Sequence, residues 1–406
     1  MTAPTIASCL LAGSDPQTTV AEAARRVAAA LGRPADLAVV FISLALCEEP
    51  AAVRAAISST LAPRHLIGCT GEAIIGTGHE VENQPAAVVW GAVLPGARIT
   101  PIRARAWRDL NGAAEIVGWP TRVGDPAAES PLPGDGDVVI ALADPFSLPL
   151  DAVLGPIGSS SFQPQMVGGF ASGGTRPGEH VLFLDDRDFR DGLVGVSLGG
   201  AHLATAVSQG CTPIGPEMVV TDADGAGRIY ALAGQPALSK LQEVLNDLDN
   251  AALTLTHSGV TVGIVMNENQ PDYARGDFLM RGLLGTNSAT GEIQIGENVR
   301  IGQTVRLHVL DAASADADLH VAAREAVAQL GGAVAGALLF SCNGRGTRMF
   351  DHPDHDARVL AQELANPPVA GLFCNGEIGP VAGRNFLHAF TATLAVFGAP
   401  TDTSGL

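Results

Sequence analysis

Three short segments, LAVVFIS (residues 37–43), CEEPAAVRAAISSTL (47–61) and HLIGC (65–69), decide how this chain is read. The first and third are apolar at consecutive positions, as expected of strands buried on both faces. The second has acids and Pro50 at its start, where a missing backbone N–H costs little and the positive end of a helix favours carboxylates. Strand, helix and strand within about thirty residues predict a parallel pair joined by a right-handed crossover. The apolar stretches that follow, AAVVWGAVL and ARITPIRAR, add antiparallel strands. The expected class is α/β, or mixed α+β, with mixed sheets.

The unit recurs, and repeats set the architecture. Residues 36–68 align on 137–169 at a constant shift: Asp36 on Asp137, LAVVF on VVIAL, and AISSTLAPRHLIG (56–68) on IGSSSFQPQMVGG (157–169). VWGAVLPGARI (89–99) aligns on LVGVSLGGAHL (193–203). A third copy lies near the C-terminus. AARRVAAALGRPADLAVVFIS (23–43) resembles AAREAVAQLGGAVAGALLFS (322–341), and LIGCTGE (66–72) resembles GLFCNGE (371–377). A fainter fourth copy is expected from GVTVGIVM (259–266), LLGTNSATGE (283–292) and VRLHVLDA (305–312). Two repeats, about 23–110 and 131–215, are expected to build a domain over 1–228, and two more a domain over 229–406. The Gly- and Asp-rich TDADGAGRIYALAG (221–234) marks the boundary, and WPTRVGDPAAESPLPGDGD (119–137) reads as a connector.

Composition excludes several functions. The 406 residues carry 42 acids against 24 bases, a net charge of −18, and Lys240 is the only lysine. That field repels nucleic acid and anionic lipid, and leaves no lysine for a phosphate loop or Schiff base. Six cysteines without a paired CxxC spacing suit a reducing compartment. The N-terminus lacks a basic leader region, and no uncharged apolar run is long enough to span a bilayer. A cytoplasmic protein is expected, without nucleic-acid or membrane partners.

GCTGE, FSCNGRG (340–346), FDHPDHDA (350–357) and GLFCNGEIGPVAGRNFLHAFT (371–391) together resemble the FIST family of F-box and intracellular signal transduction proteins. The resemblance covers nearly the whole chain, with a FIST N-like and a FIST C-like part. It implies a bacterial sensory module that binds an amino acid or similar metabolite and signals through a separate partner such as a kinase. Some members resemble haem-binding nitric oxide sensors. No kinase, cyclase, methyl-acceptor or F-box region accompanies the two parts here.

The candidate ligand site is the pair of CxGE turns. A glycine just past a strand end lets backbone approach a ligand, and successive N–H groups there bind anions. The expected ligand-binding residues are Cys69, Thr70, Gly71, Glu72, Cys374, Asn375, Gly376 and Glu377, with Ser172 and Gly173 as the diverged counterpart. Asn343, Arg345, Arg384 and Asn385 complete the set. The glutamates would accept from an ammonium group and the arginines would grip a carboxylate. Such a site is expected where the first and last repeats meet.

Cys69 and Cys374 are alternative candidates for a cysteine-dependent enzyme, which would require a neighbouring histidine. His352 and His355 in DHPDHD are candidate metal ligands, although acids and proline there also read as a helix start. His180 and His202 are candidate axial ligands for a haem; otherwise no cofactor is expected.

Overall fold

A computed structural model describes residues 3–108, 114–119, 133–134, 136–148, 164–256, 259–274, 276–381 and 383–399. Most of the expected connector, 120–132 and 135, and the segment 157–163 aligned on the first repeat's helix lie outside the described residues. The chain has the expected mixed α+β class, and it forms two compact units. One comprises 1–208, 319–387 and 392–406; the other comprises 209–318 and 388–391.

In the first unit, strand Leu37–Ser43 pairs in parallel with His65–Gly71, and helix Pro50–Leu61 lies between them in sequence. Pro50 occupies the first helical turn, and Val53, Ile57 and Leu61, spaced by four, are buried. The preceding helix Pro16–Leu31 is capped by the Asp15 carboxylate, which accepts from Thr18 N at 3.0 Å, and ends at Gly32 with φ +66°. Strands Val138–Ala143 and Gln165–Phe170 form the second parallel pair. Val334–Cys342 and Val369–Cys374 form the third. Each sheet continues from its first parallel strand to an antiparallel strand, Ala86–Val93, Leu193–Gly199 or Thr391–Gly398, and then to one further strand, or two in the second sheet.

At its other side each sheet is completed by a different repeat. Hairpin Ile74–Gly76/His79–Val81 of the first repeat joins the third repeat's sheet beside Val369–Cys374. Leu182–Leu184/Arg187–Phe189 of the second joins the first, beside His65–Gly71. Glu377–Val381/Arg384–His388 of the third joins the second, beside Gln165–Phe170. The three sheets therefore exchange hairpins in a ring.

Strands buried on both faces serve two cores. Val39, Phe41 and Trp90 meet Ile140, Val196, Leu338, Phe340 and Phe397 in a core shared by all three repeats. The Phe41 and Phe340 rings meet edge-on at 5.9 Å, and Trp90 lies 5.2 Å from Phe397. The alternate residues Val40, Ile42 and Val89 pack instead with the helix residues Val27 and Ile57.

The second unit corrects the fourth repeat. Val260–Val265 pairs with Phe278–Asn287 antiparallel, and no helix of the described residues lies between them. Parallel pairing needs a crossover of a dozen or more residues, usually helical. Six strands instead pair in a closed antiparallel cycle: Cys211–Ala223, Thr304–Leu310, Val260–Val265, Phe278–Asn287, Glu292–Ile295 and Arg228–Leu232. The first compact unit thus holds the three parallel pairs, and the second holds the small antiparallel barrel.

Candidate functional site

The three turns after the parallel strands interlock. Ser172 N donates to Thr70 O at 3.1 Å, and Glu72 N donates to Ser172 Oγ at 2.8 Å. Ser172 Oγ in turn donates to Phe373 O. Phe373 N donates to Ala73 O at 3.0 Å. Asn375 N donates to Phe170 O at 3.2 Å, and Phe170 N to Gly376 O at 2.9 Å. The CxGE turn recurs because each copy is the point where the chain leaves its own sheet for the next. Gly169 permits the close passage: a Cβ there would lie 2.3 Å from Cys374 Sγ. Gly173, at φ +89°, lets its turn run beside Gly71.

This geometry separates the expected site residues. Cys69, Thr70, Ser172, Cys374 and Glu377 are buried at the interlock, and Gly71 and Gly376 are backbone positions within it. Thr70 Oγ1 accepts from Val181 N at 3.2 Å. Arg345 is fully buried, its Nε and Nη2 each 2.8 Å from a different oxygen of buried Asp356. The Asp356 carboxylate also meets Ser341 Oγ at 2.7 Å and His355 Nδ1 at 2.8 Å. Arg345 therefore does not offer a guanidinium to a ligand; it anchors an internal carboxylate. Asn385 is a clip, accepting from Met166 N at 2.8 Å and donating to Pro164 O at 2.9 Å. Arg384 is exposed on its strand, over the Phe386 ring at 5.5 Å.

An open cleft of about 140 Å³ lies beside the interlock, lined by Glu72, Ala73, Glu82, Asn83, Asn343, Thr347, Arg348 and Phe373. These residues come from the first and third repeats. Arg348 Nη2 donates to Glu72 Oε1, and its Nη1 donates to Asn343 O at 2.7 Å. The Glu72 carboxylate raises the Arg348 pKa further above its ordinary value, chiefly through that hydrogen bond. Thr347 donates to Glu82 through its backbone N, at 3.1 Å, and through Oγ1, at 2.8 Å. Asn343 Nδ2 donates to Asn375 Oδ1 at 2.7 Å, while Asn343 Oδ1 is buried without a hydrogen-bond partner among the described residues. Gly346 shapes the wall: at φ +60° it sits where a Cβ would meet Glu82 Oε2 and Phe373 Cε1, each at 2.9 Å.

The sequence points to Glu72, Asn343 and Asn375 here, and not to Arg348, Glu82 and Thr347. In CNGRGTR both arginines fit a ligand-gripping role by type. The short 3-10 turn Gly346–Arg348 separates them, turning Arg345 inward and leaving Arg348 at the cleft.

The remaining candidates find structural duties. Burial pushes the Cys69 and Cys374 thiols well above their usual pKa, which disfavours the thiolate a nucleophile needs. His180 is fully buried, with Nδ1 2.9 Å from Asp144 Oδ1 and Nε2 accepting from Gly174 N at 3.2 Å. Both ring nitrogens are committed, so it does not suit an axial haem ligand. His202 Nε2 is likewise committed to Leu330 O at 2.8 Å. His355 starts helix His355–Glu363 and stacks on Phe350 at 3.3 Å between centroids; His352 is exposed beside it. Among the described residues no group of three metal-ligating side chains occurs. No helix among them is long and apolar enough to cross a membrane.

The FIST N domain matches residues 36–235 and the FIST C domain residues 237–380. The chain belongs to the FIST family, whose domains serve signal transduction as sensors. An uncharacterized protein of Mycobacterium tuberculosis is 41% identical over 385 residues, covering 94% of this chain and 97% of that protein. An uncharacterized protein of Mycobacterium bovis is 40% identical over 366 residues, covering 90% and 91%. A structure of PurLQS from Thermotoga maritima aligns over 98% of this chain and 72% of that one, at 10% identity and a TM-score of 0.23, which carries no argument.

Proposed function

We propose that the cleft beside the interlocked turns is the sensing site and that it takes a small metabolite bearing an ammonium group, an α-amino acid above all. The observation that carries this reading is the Glu72–Arg348 ion pair, with both side chains substantially exposed, at 40% and 57%. Exposed pairs contribute little to stability, about 0–1 kcal/mol, so a ligand can replace this one at small cost. Two carboxylates, Glu72 and Glu82, face one guanidinium across the cleft, leaving an excess negative charge. An ammonium group meets the carboxylates, a ligand carboxylate meets Arg348 in the bidentate geometry that guanidinium favours, and Asn343 Oδ1 accepts a further N–H. The small volume suits a compact ligand.

Binding would report through the chain segments the cleft joins. Glu72 opens the segment leading into the exchanged hairpin, and Arg348 closes the turn that also carries Arg345. A ligand that breaks the Glu72–Arg348 contact favours whichever arrangement of that turn it binds better, and so shifts a population. A separate signalling protein such as a kinase would read that shift.

The test is a thermal-shift panel of amino acids, small amines and organic acids on the intact chain. A ligand at a hundred times its Kd stabilises by about 2.7 kcal/mol. Stabilisation by amino acids or amines, reduced in Glu72→Gln, supports the reading. Stabilisation by organic acids alone, or by none of the panel, contradicts it.

A further inference from the structure

We propose a second ligand site in the barrel unit, which takes a small aromatic molecule carrying a hydroxyl or N–H donor at one end and an anionic group at the other. A cavity of about 210 Å³ there is lined by Cys211, Tyr273, Phe278, Met280, Arg306 and His308 among others. An apolar cavity of about 150 Å³ is enough to hold benzene. The exchanged-hairpin cleft contributes none of these residues.

Strand alternation builds the cavity wall. Along Thr304–Leu310, Val305, Leu307 and Val309 are core residues, while Arg306 and His308 share the opposite face, one strand repeat apart. Gly263, on the neighbouring strand, makes room for the imidazole: a Cβ there would lie 2.6 Å from His308 Cε1. Phe278 stands edge-on to His308 at 5.1 Å, and Tyr273 edge-on to Phe278 at 5.9 Å. Together the rings offer the offset and edge contacts that an aromatic ligand prefers.

The polar groups set the ends of the ligand. His308 Nδ1 lies 3.0 Å from Arg306 O. A carbonyl only accepts, so Nδ1 carries the proton and Nε2 is left as an acceptor. Burial holds His308 neutral, with a pKa lowered to about 4, so this tautomer persists through neutral pH. A phenolic O–H or heteroaromatic N–H fits that acceptor. Arg306, two residues away, donates to Gly215 O at 3.0 Å and lies 3.6 Å from Glu217 in a long, partly exposed ion pair. That guanidinium is placed to donate to a ligand carboxylate in exchange.

The experiment titrates the full chain by calorimetry with 4-hydroxybenzoate, phenol and benzoate, while His308 is followed by imidazole nitrogen NMR. The proposal expects 4-hydroxybenzoate to bind more tightly than either fragment and to shift the His308 Nε2 resonance. Arg306→Gln should weaken 4-hydroxybenzoate about tenfold and leave phenol unchanged. Met280→Trp, which fills the cavity, should remove binding of all three, and Glu72→Gln should change none. Absence of binding, a silent His308 signal, or binding that survives Met280→Trp would overturn the proposal; phenol binding as tightly as 4-hydroxybenzoate would overturn the anionic end. Because Glu72 belongs to the other site, failure here and failure of the amino-acid reading are separable.

Discussion

Arg348 donates a hydrogen bond to Glu72 across 276 positions of sequence, and Arg345, three residues earlier, is buried against Asp356. One arginine of the GRGTR segment faces a cleft and the other holds the interior.

Arg345→Ala should destabilise the chain by about 3–5 kcal/mol, because it strands the Asp356 charge in the interior. Arg345→Met with Asp356→Leu should recover much of the loss, since an apolar pair of similar volume leaves no unpaired charge. Urea unfolding of Arg345→Ala and of the double variant measures this. If Arg345→Ala left the midpoint in place, the buried pair would not be the anchor described.

Glu80 sits on the exchanged hairpin, and its Oε1 accepts from Ala357 N at 2.9 Å. Burial, reinforced by the nearby Asp356 charge, raises its pKa to about 8. Glu80 Oε2 and Arg345 Nη1 are buried without hydrogen-bond partners among the described residues. In the folded chain Glu80 holds its proton through pH 7, whereas unfolded it loses it near pH 4.3. Its stabilising contribution is therefore complete below about pH 4.3 and is lost as pH rises toward 8, at a slope of about 1.4 kcal/mol per pH unit. Glu80→Gln should flatten the stability profile in that window, as measured by unfolding at several pH values. Asp356 acts oppositely: its depressed pKa contributes stability that fails only as pH falls below the ordinary aspartate range. An unchanged slope in Glu80→Gln would show that Glu80 is ionised in the folded state.

Gly169→Ala should cost about 1–3 kcal/mol by overpacking, since its Cβ would meet Cys374 Sγ at 2.3 Å. Removing the sulfur in Gly169→Ala/Cys374→Ala should make the double variant more stable than the sum of the singles predicts. A double-mutant cycle in thermal unfolding reads the coupling. Strict additivity would mean that the two turns do not press together as described.

Native-state iodoacetamide labelling should reach Cys9 and Cys342, which are partly exposed, before the buried Cys69 and Cys374. Mass spectrometry of timed aliquots gives the order. Fast labelling of Cys69 or Cys374 would revive a nucleophilic role for that thiol.

The parallel pair Leu37–Ser43/His65–Gly71 and the helix between them were legible because buried strands and Pro50 leave local marks in sequence. The exchange of hairpins was not, because the apolar pattern of Ile74–Gly76 states that a strand is buried and not which sheet buries it. The same limit applies to Arg345 and Arg348, alike by type and separated only by how Gly346 turns the backbone. Glu72 and Asn343, which line the cleft, stand in the turns themselves and are legible as candidates for that reason. Glu82 and Thr347, on flanking segments, carried no motif and are joined only by the fold. VRLHVLDA reads as a buried strand equally well in an α/β repeat and in an antiparallel barrel, which is why the fourth copy was misassigned.

The central claim is that the Glu72–Arg348 cleft binds a small α-amino acid. Isothermal titration of the intact chain with the amino acid that most raises its melting temperature tests it most directly, alongside Glu72→Gln and Arg348→Met. One site per chain is expected, with a tenfold or greater loss of affinity in each variant, about 1.4 kcal/mol or more, and nearly unchanged stability without ligand. Affinity that is indifferent to both substitutions, or no binding of any amino acid or amine, would contradict it.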